Sequence, residues 1–240
     1  MTTGAPLSAV LQRIRNVQLQ PKPRPGERCE LCATLVPDEH SHVVDLQTRA
    51  LMCACRPCYL VFAPDGAGGV RYRAVPDRFL AFDNFSLSPA EWEGLQIPVG
   101  VAFFFVNSEI GRVVAFYPGP AGATESMLSL DSWDAVVAAN PQLATLRPDV
   151  EAFLVRSADP RSTRRPAPGA GEPGLDVHLP VDDDAAQAEC FLVPIDVCYE
   201  LVGELRRLWR GFDGGTEAHQ AMEEFFDRVR SRSGAKRLVG

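Results

Sequence analysis

The stretch that decides the fold opens with Cys29-Glu30-Leu31-Cys32 and closes, after twenty-two intervening residues, with Cys55-Arg56-Pro57-Cys58. Each pair can present two thiolates from a tight turn, and two such pairs at this separation are typical of one tetrahedral zinc site. Four protein ligands leave no open coordination position, which favours a structural role over a catalytic one. The sequence therefore predicts a zinc ion bound by Cys29, Cys32, Cys55 and Cys58, with an iron–sulfur cluster on the same thiolates as the alternative.

A fifth cysteine and two histidines lie between or beside these pairs. Cys53 is too close to Cys55, and spaced too loosely from Cys58, for a usual pair, so we interpret it as a strand-end residue or a substitute ligand. The run Glu39-His40-Ser41-His42 partly resembles a motif of zinc-stapled nucleases, but residues 43–62 lack the asparagine and histidine that such cleavage needs. We expect His42 either to hydrogen-bond to a metal ligand or to lie at the surface. Whether His42 itself replaces one of the cysteines as a ligand is left open.

The composition limits the classes of function. The chain has 240 residues, 46% of them apolar, which is enough for the core of one large domain or two small ones. A net charge of −7 argues against nucleic acid as a partner, because phosphate neutralisation needs clustered lysine and arginine. No apolar stretch approaches the length of a membrane span, and no secretory leader is recognisable, so we expect a cytoplasmic protein with reduced thiols.

Breaks in the pattern predict three parts: residues 1–26, with a weak helical pattern and a proline-rich connector; a zinc-binding module at residues 27–64; and an α+β domain at residues 70–232. Residues 157–174 are rich in proline and glycine and predict a flexible insertion. The expected fold class is α+β: a treble-clef or ribbon-like four-cysteine module joined to a mixed, mainly antiparallel sheet that ends in an αα-hairpin.

Apolar runs predict the strands. Residues 41–53 form a hairpin between the cysteine pairs, and Val99–Val106 pairs with Val113–Tyr117 in a buried antiparallel hairpin. Glu151–Val155 and Glu189–Val193 are so alike that we expect them to pair in one sheet. Further short strands are predicted at residues 71–75 and 79–82.

Polar residues before apolar periodic segments predict the helix starts. The expected N-caps are Ser88, Asp131, Asp196 and Thr216. The last two open the αα-hairpin, whose helices are separated by the turn Trp209–Gly215. Glycine-rich phosphate-binding loops and paired nucleophile and base residues are not recognisable, so enzymatic activity is undecided and a non-catalytic role is favoured.

Three stretches together resemble a known family: Cys29–Cys32, Leu51–Cys58, and Phe191–Gly203 running into Trp209–Gly215. The family is an uncharacterised one, a domain of unknown function whose members are encoded beside high-affinity nickel–iron uptake hydrogenases of actinobacteria and related soil bacteria. The resemblance implies an accessory role in assembling or maturing such a hydrogenase, with its subunits or maturation factors as partners. It supplies no catalytic residues.

The turn Trp209–Gly215 is the candidate docking surface for such a partner, and a plain helix end with a packed tryptophan is its alternative. For the whole chain, the alternatives to the accessory role are a zinc-stapled enzyme of unknown reaction and a general protein-interaction adaptor.

Overall fold

The computed structural model describes residues 28–63, 71–126, 130–157, 188–211 and 214–234. The predicted N-terminal helix and connector at residues 1–26, and residues 158–174 of the predicted insertion, lie outside the described residues. The fold class is confirmed: the protein is α+β, with antiparallel sheets, a four-cysteine cluster near the start and a helical hairpin at the end.

Nine strands and five α-helices are named here in chain order. The strands are β1 (Ser41–Asp45), β2 (Ala50–Ala54), β3 (Tyr72–Ala74), β4 (Leu80–Ala81), β5 (Val101–Asn107), β6 (Arg112–Gly119), β7 (Gly122–Glu125), β8 (Glu151–Arg156) and β9 (Glu189–Pro194). The helices are α1 (Arg56–Val61), α2 (Pro89–Gly94), α3 (Leu130–Ala139), α4 (Ile195–Leu208) and α5 (Gly215–Ser233). A 3₁₀ turn, Pro141–Thr145, follows α3.

The cysteine module is built around a small sheet of order β2-β1-β3. The predicted hairpin between the cysteine pairs is confirmed, because β1 and β2 pair antiparallel with Ser41 opposite Ala54. Strand β3 pairs with the other edge of β1, so this sheet includes residues beyond position 64. The division of the chain into a module at 27–64 and a domain at 70–232 stays a prediction.

Asp45 organises the turn of the module's hairpin. Its buried carboxylate accepts hydrogen bonds from the backbone N–H of Gln47 (3.0 Å) and of Thr48 (3.4 Å). The guanidinium of Arg71 approaches from beside β3, with Nη2 2.6 Å from Oδ2. The hydrogen bond from Arg71 lowers the pKa of Asp45 to about 2, since it favours the ionised carboxylate.

The main sheet has six strands in the order β4-β9-β8-β5-β6-β7, all antiparallel. The predicted central hairpin is confirmed, with Phe104 of β5 opposite Ala115 of β6. The two similar runs also pair as predicted: Phe153 of β8 lies opposite Leu192 of β9. Because β8 and β9 are interior strands, each has a neighbour on both sides.

Both faces of the main sheet are covered, which explains why β8 and β9 are apolar at successive positions. On one face, Ala152 and Leu154 pack in a cluster with α4 and α5. On the other face, Phe153 and Val155 pack in a second cluster with α2 and α3. The sheet is therefore the middle of three layers, and the terminal helical hairpin forms one outer layer.

Of the four predicted N-caps, the structure confirms one and contradicts three. Ser88 caps α2, because its Oγ accepts from the N–H of Glu91 while the Glu91 carboxylate accepts from the N–H of Ser88. Helices α3 and α4 begin one residue before the predicted caps Asp131 and Asp196, which lie inside the first turn. Helix α5 begins before Thr216, since Gly214 (φ +91°) enters it in the left-handed region that glycine favours.

None of the helices in the described part of the chain contains an apolar run of the length that a membrane span requires.

The cysteine module packs directly on the main sheet. Val44 of β1 and Val75 after β3 belong to the same apolar cluster as α4 and α5. The backbone N–H of Val75 donates to the carbonyl of His42 (3.0 Å). Arg73 of β3 reaches across to Asp149, with Nη1 2.6 Å from Oδ2. The module therefore shares a core with the main sheet.

A charge at Phe104 tests the main sheet. Phe104 is 1% exposed and stacks on Trp133, with ring centroids 4.6 Å apart. Phe104→Asp places a carboxylate without a partner in this cluster, so we expect a loss of about 3–5 kcal/mol in the free energy of unfolding. The control Phe104→Leu keeps the site apolar and should lose about 1 kcal/mol. Chemical denaturation measures both, and equal stability of Phe104→Asp and the parent would contradict the buried hairpin.

A pH series tests the role of Asp45. Its pKa is about 2 in the folded protein against an ordinary value of 3.8, so the unfolded chain takes up the proton first as the pH falls. The stabilisation from this carboxylate is fully present above pH 3.8 and is lost as the pH falls towards about 2. Asp45→Asn lacks this titration. The difference in unfolding free energy between parent and variant should be constant near neutrality and shrink across that window; a difference independent of pH would contradict the assignment.

Candidate metal centre

The first cysteine pair lies in a tight turn that begins the described chain. The N–H of Ala33 donates to the carbonyl of Cys29 (2.7 Å), and the N–H of Cys29 donates to the carbonyl of Thr34 (2.8 Å). Ala33 has a φ of +62°, a left-handed conformation that reverses the chain directly after Cys32. These bonds direct the Cys29 and Cys32 thiols to the same side of the turn.

The second cysteine pair lies at the start of helix α1. Cys55 immediately precedes the helix and its carbonyl accepts from the N–H of Tyr59 (2.9 Å), while Cys58 lies in the first turn. Pro57 is tolerated there because the first helical N–H groups have no partner within the helix. The order of turn, hairpin and helix is that of a treble clef, one of the two predicted architectures for the module.

Glu30 joins the two halves of the module. Its N–H donates to the carbonyl of Cys53 (2.9 Å), and its carboxylate accepts from the N–H of Cys53 (2.7 Å). This reciprocal pair fastens the first cysteine turn to the end of β2. The role of Glu30 is not predictable from the sequence, since its partner is 23 positions away and no local pattern marks such a contact.

The four predicted thiols converge. The sulfur atoms of Cys29, Cys32, Cys55 and Cys58 all lie within 4.8 Å of one another, and the Sγ atoms of Cys32 and Cys55 are 3.6 Å apart. Cys29 is buried and Cys32 is exposed, so the cluster lies at the edge of the module. Four sulfurs at these distances can bind a metal ion such as zinc.

The electrostatics of the cluster fit a cation. Hydrogen bonds from Thr34 and from neighbouring cysteines lower the pKa of Cys32 to about 6. Desolvation and hydrogen bonds with the other thiols raise the pKa of Cys58 to about 12. One thiolate therefore forms readily, and its charge opposes ionisation of the next. A divalent cation removes that conflict, because it stabilises all four thiolates at once.

Cys53 lies outside this group of four. It is directly opposite His42 in the β1–β2 ladder, and it forms a second potential ligand group with His40 and His42. The Nδ1 atom of His42 lies 2.8 Å from Oδ2 of Asp196 at the start of α4. The structure thus brings together the four predicted cysteines and groups Cys53 and His42, the two residues considered as substitutes, with His40 instead.

The sequence matches the model of one protein family. The model of a family of unknown function, DUF5947, matches residues 28–169 and 170–233. The chain belongs to this family. No curated protein and no solved structure matches the chain. Since the family model has no function attached, the link to a hydrogenase stays a proposal.

The turn after α4 borders an apolar cavity of about 300 Å³. The Trp209 side chain is half-buried, and its Nε1–H donates to the carbonyl of Gly211 (3.1 Å), whereas Arg210 is exposed. The cavity lies between the helical hairpin and the β5 and β6 ends of the sheet. Its lining includes Pro98, Val99, Tyr117, Trp209, His219 and Met222.

The most buried carboxylates of the described chain are paired. Glu151 is fully buried, but its two oxygens accept from Arg78 at 2.7 and 2.6 Å and one of them also accepts from the N–H of Arg147. Asp45 is held by Arg71 in the same way. A carboxylate with its lone pairs engaged by a guanidinium is a poor general base, so these groups serve stability.

Proposed function

We propose that this protein is a non-catalytic accessory protein of the cytoplasm, stabilised by a structural zinc ion, that acts in the assembly or maturation of a nickel–iron hydrogenase. The four-cysteine cluster supports the structural zinc. The resemblance of the cysteine and C-terminal stretches to proteins encoded beside such hydrogenases supports the accessory role.

The spacing of the sulfurs is the observation that favours a single tetrahedral ion such as zinc over an iron–sulfur cluster. A tetrahedral ion with metal–sulfur bonds of about 2.3 Å has sulfur–sulfur edges of about 3.8 Å. The Cys32–Cys55 distance of 3.6 Å is close to such an edge. An iron–sulfur cluster places several iron and sulfide atoms between its thiolates and would hold them further apart.

The turn Trp209–Gly215 supports a function through contact. Tryptophan and arginine are the residues that most often dominate binding energy at protein interfaces. Here a half-buried Trp209 borders an apolar cavity, and exposed Arg210 lies beside it. A partner side chain entering this cavity would contact both the helical hairpin and the sheet.

Substitution of one ligand tests the structural zinc. Zinc binding contributes on the order of 10 kcal/mol of folding free energy in small finger peptides, so its loss should disorder the module. We expect purified protein to contain zinc and Cys32→Ser to lose it, with fast hydrogen exchange throughout the β1–β2 hairpin and slow exchange retained in β8 and β9.

Cys53→Ser is the matched control, because Cys53 lies near the cluster but outside the group of four. This variant should keep the hairpin protected from exchange. Clean parent protein with far less than one zinc per chain and no iron would contradict the proposal, and iron with sulfide in place of zinc would favour the cluster alternative.

A pull-down from the native host tests the accessory role. Tagged parent protein should recover hydrogenase subunits or maturation factors, and the double variant Trp209→Ala, Arg210→Ala should lose them while melting at a similar temperature. Arg112→Ala, an exposed arginine at the start of β6, is the control and should recover the partners. Equal recovery of the partners by the double variant would show that the docking surface lies elsewhere on the protein. Absence of any specific partner of the parent would favour the zinc-stapled enzyme instead.

A further inference from the structure

The hairpin of the cysteine module gathers a second set of metal-binding side chains. His42 lies directly opposite Cys53 in the β1–β2 ladder. His40 precedes His42 by two positions, and its imidazole ring lies 4.7 Å from that of His42, centroid to centroid. One potential ligand atom from each of the three residues lies within 4.8 Å of the others.

The hydrogen bonds of the two rings leave the same nitrogen available on each. The Nδ1 atom of His40 is 2.9 Å from the carbonyl of Pro37, and a carbonyl only accepts, so Nδ1 bears the proton. The Nδ1 atom of His42 is 2.8 Å from the Asp196 carboxylate, which likewise accepts. Both imidazoles therefore present the lone pair of Nε2, as metal-binding histidines do.

One of these lone pairs lacks a partner. The Nε2 atom of His40 is buried and has no hydrogen-bond partner within the part of the chain that the structure describes. Buried polar atoms are nearly always hydrogen-bonded in native proteins, so an exception needs an explanation. A ligand that accepts this lone pair, with His42 and Cys53 as its other neighbours, supplies one.

We propose that His40, His42 and Cys53 form a second metal site, which binds an exchangeable divalent late first-row transition metal ion. Two imidazoles and one thiolate suit zinc, nickel and cobalt and are poor ligands for magnesium or calcium. The charges balance, because the Cys53 thiolate and the Asp196 carboxylate together offset the two positive charges of the ion. Binding deprotonates the Cys53 thiol, and that proton passes to solvent.

This site differs in kind from the four-cysteine cluster. Three protein ligands leave a fourth position of a tetrahedral ion open, as at sites where water, substrate or a partner's side chain binds. All three residues are partly exposed, with 22% of the His42 side chain accessible, so the ion can exchange with solution. This second site is additional to the structural zinc of the proposed function and does not depend on the link to a hydrogenase.

Asp196 is a positioning residue for the second site. Its carboxylate orients the His42 ring and favours the tautomer that presents Nε2, and such partners of ligands typically contribute 10–100-fold to metal affinity. Asp196 also accepts from the N–H of Val197 in the first turn of α4. The second ion would therefore connect the cysteine module to the helical hairpin.

Metal titration of the full-length, reduced, metal-free protein tests the proposal. We expect two equivalents of Co²⁺ to bind, the first with the strong charge-transfer absorption of four thiolates and the second with a weaker thiolate band. When the four-cysteine cluster already holds zinc, either Zn²⁺ or Ni²⁺ added alone should bind as one further equivalent. Metal analysis after desalting measures this. Parent protein that binds a single ion, or a second Co²⁺ without a thiolate band, would overturn the proposal.

Substitutions assign the second ion to its residues. His40→Ala, His42→Ala and Cys53→Ser should each bind one equivalent, and the distant control His219→Ala should bind two. Asp196→Asn should still bind two, with affinity for the second reduced about 10–100-fold and the first unchanged. Circular dichroism and melting temperature verify that each variant is folded. Two equivalents retained by the histidine and Cys53 variants would overturn the proposal.

Discussion

The pairing of β8 with β9 is the constraint on which the rest of the structure depends. These strands are interior to the sheet and buried on both faces, so their successive side chains belong alternately to the two apolar clusters. A shift of one residue in their register would exchange the side chains of the two clusters. Helix α4 leaves directly from the end of β9, and the cysteine module packs on the same cluster as α4. The β1–β2 hairpin is thus positioned by a strand pair far from it in sequence.

The junction between module and sheet combines three kinds of contact. Val44 and Val75 supply apolar burial, Arg73 and Asp149 supply an ion pair, and His42 and Asp196 supply a hydrogen bond from ring to carboxylate. A metal ion that orders the module, as proposed, would also stabilise α4 and α5 through these contacts. Under that proposal, metal occupancy and the stability of the helical hairpin are linked.

Features encoded locally were predictable, and features that depend on distant partners were not. Cysteine spacing identified the group of four, and apolar runs identified the paired strands, since both signals lie within short stretches. The predicted caps at Asp196 and Thr216 were wrong for different reasons. Asp196 engages His42, 154 positions away, and a left-handed Gly214 is the N-cap of α5, two positions before Thr216. The group of His40, His42 and Cys53 was within reach, because the predicted hairpin, once given its register, sets His42 opposite Cys53.

The ladder between β8 and β9 also bears on the length of the chain that connects these two strands. Arg156 and Glu189, the last paired positions before and after residues 157–188, face each other directly. A hairpin turn of about two residues can join strands in that relation, so the pairing of β8 with β9 does not itself require a connection of this length. The family match is itself divided within this connection, between residues 169 and 170. The register of these two strands therefore sets no length for the chain that joins them.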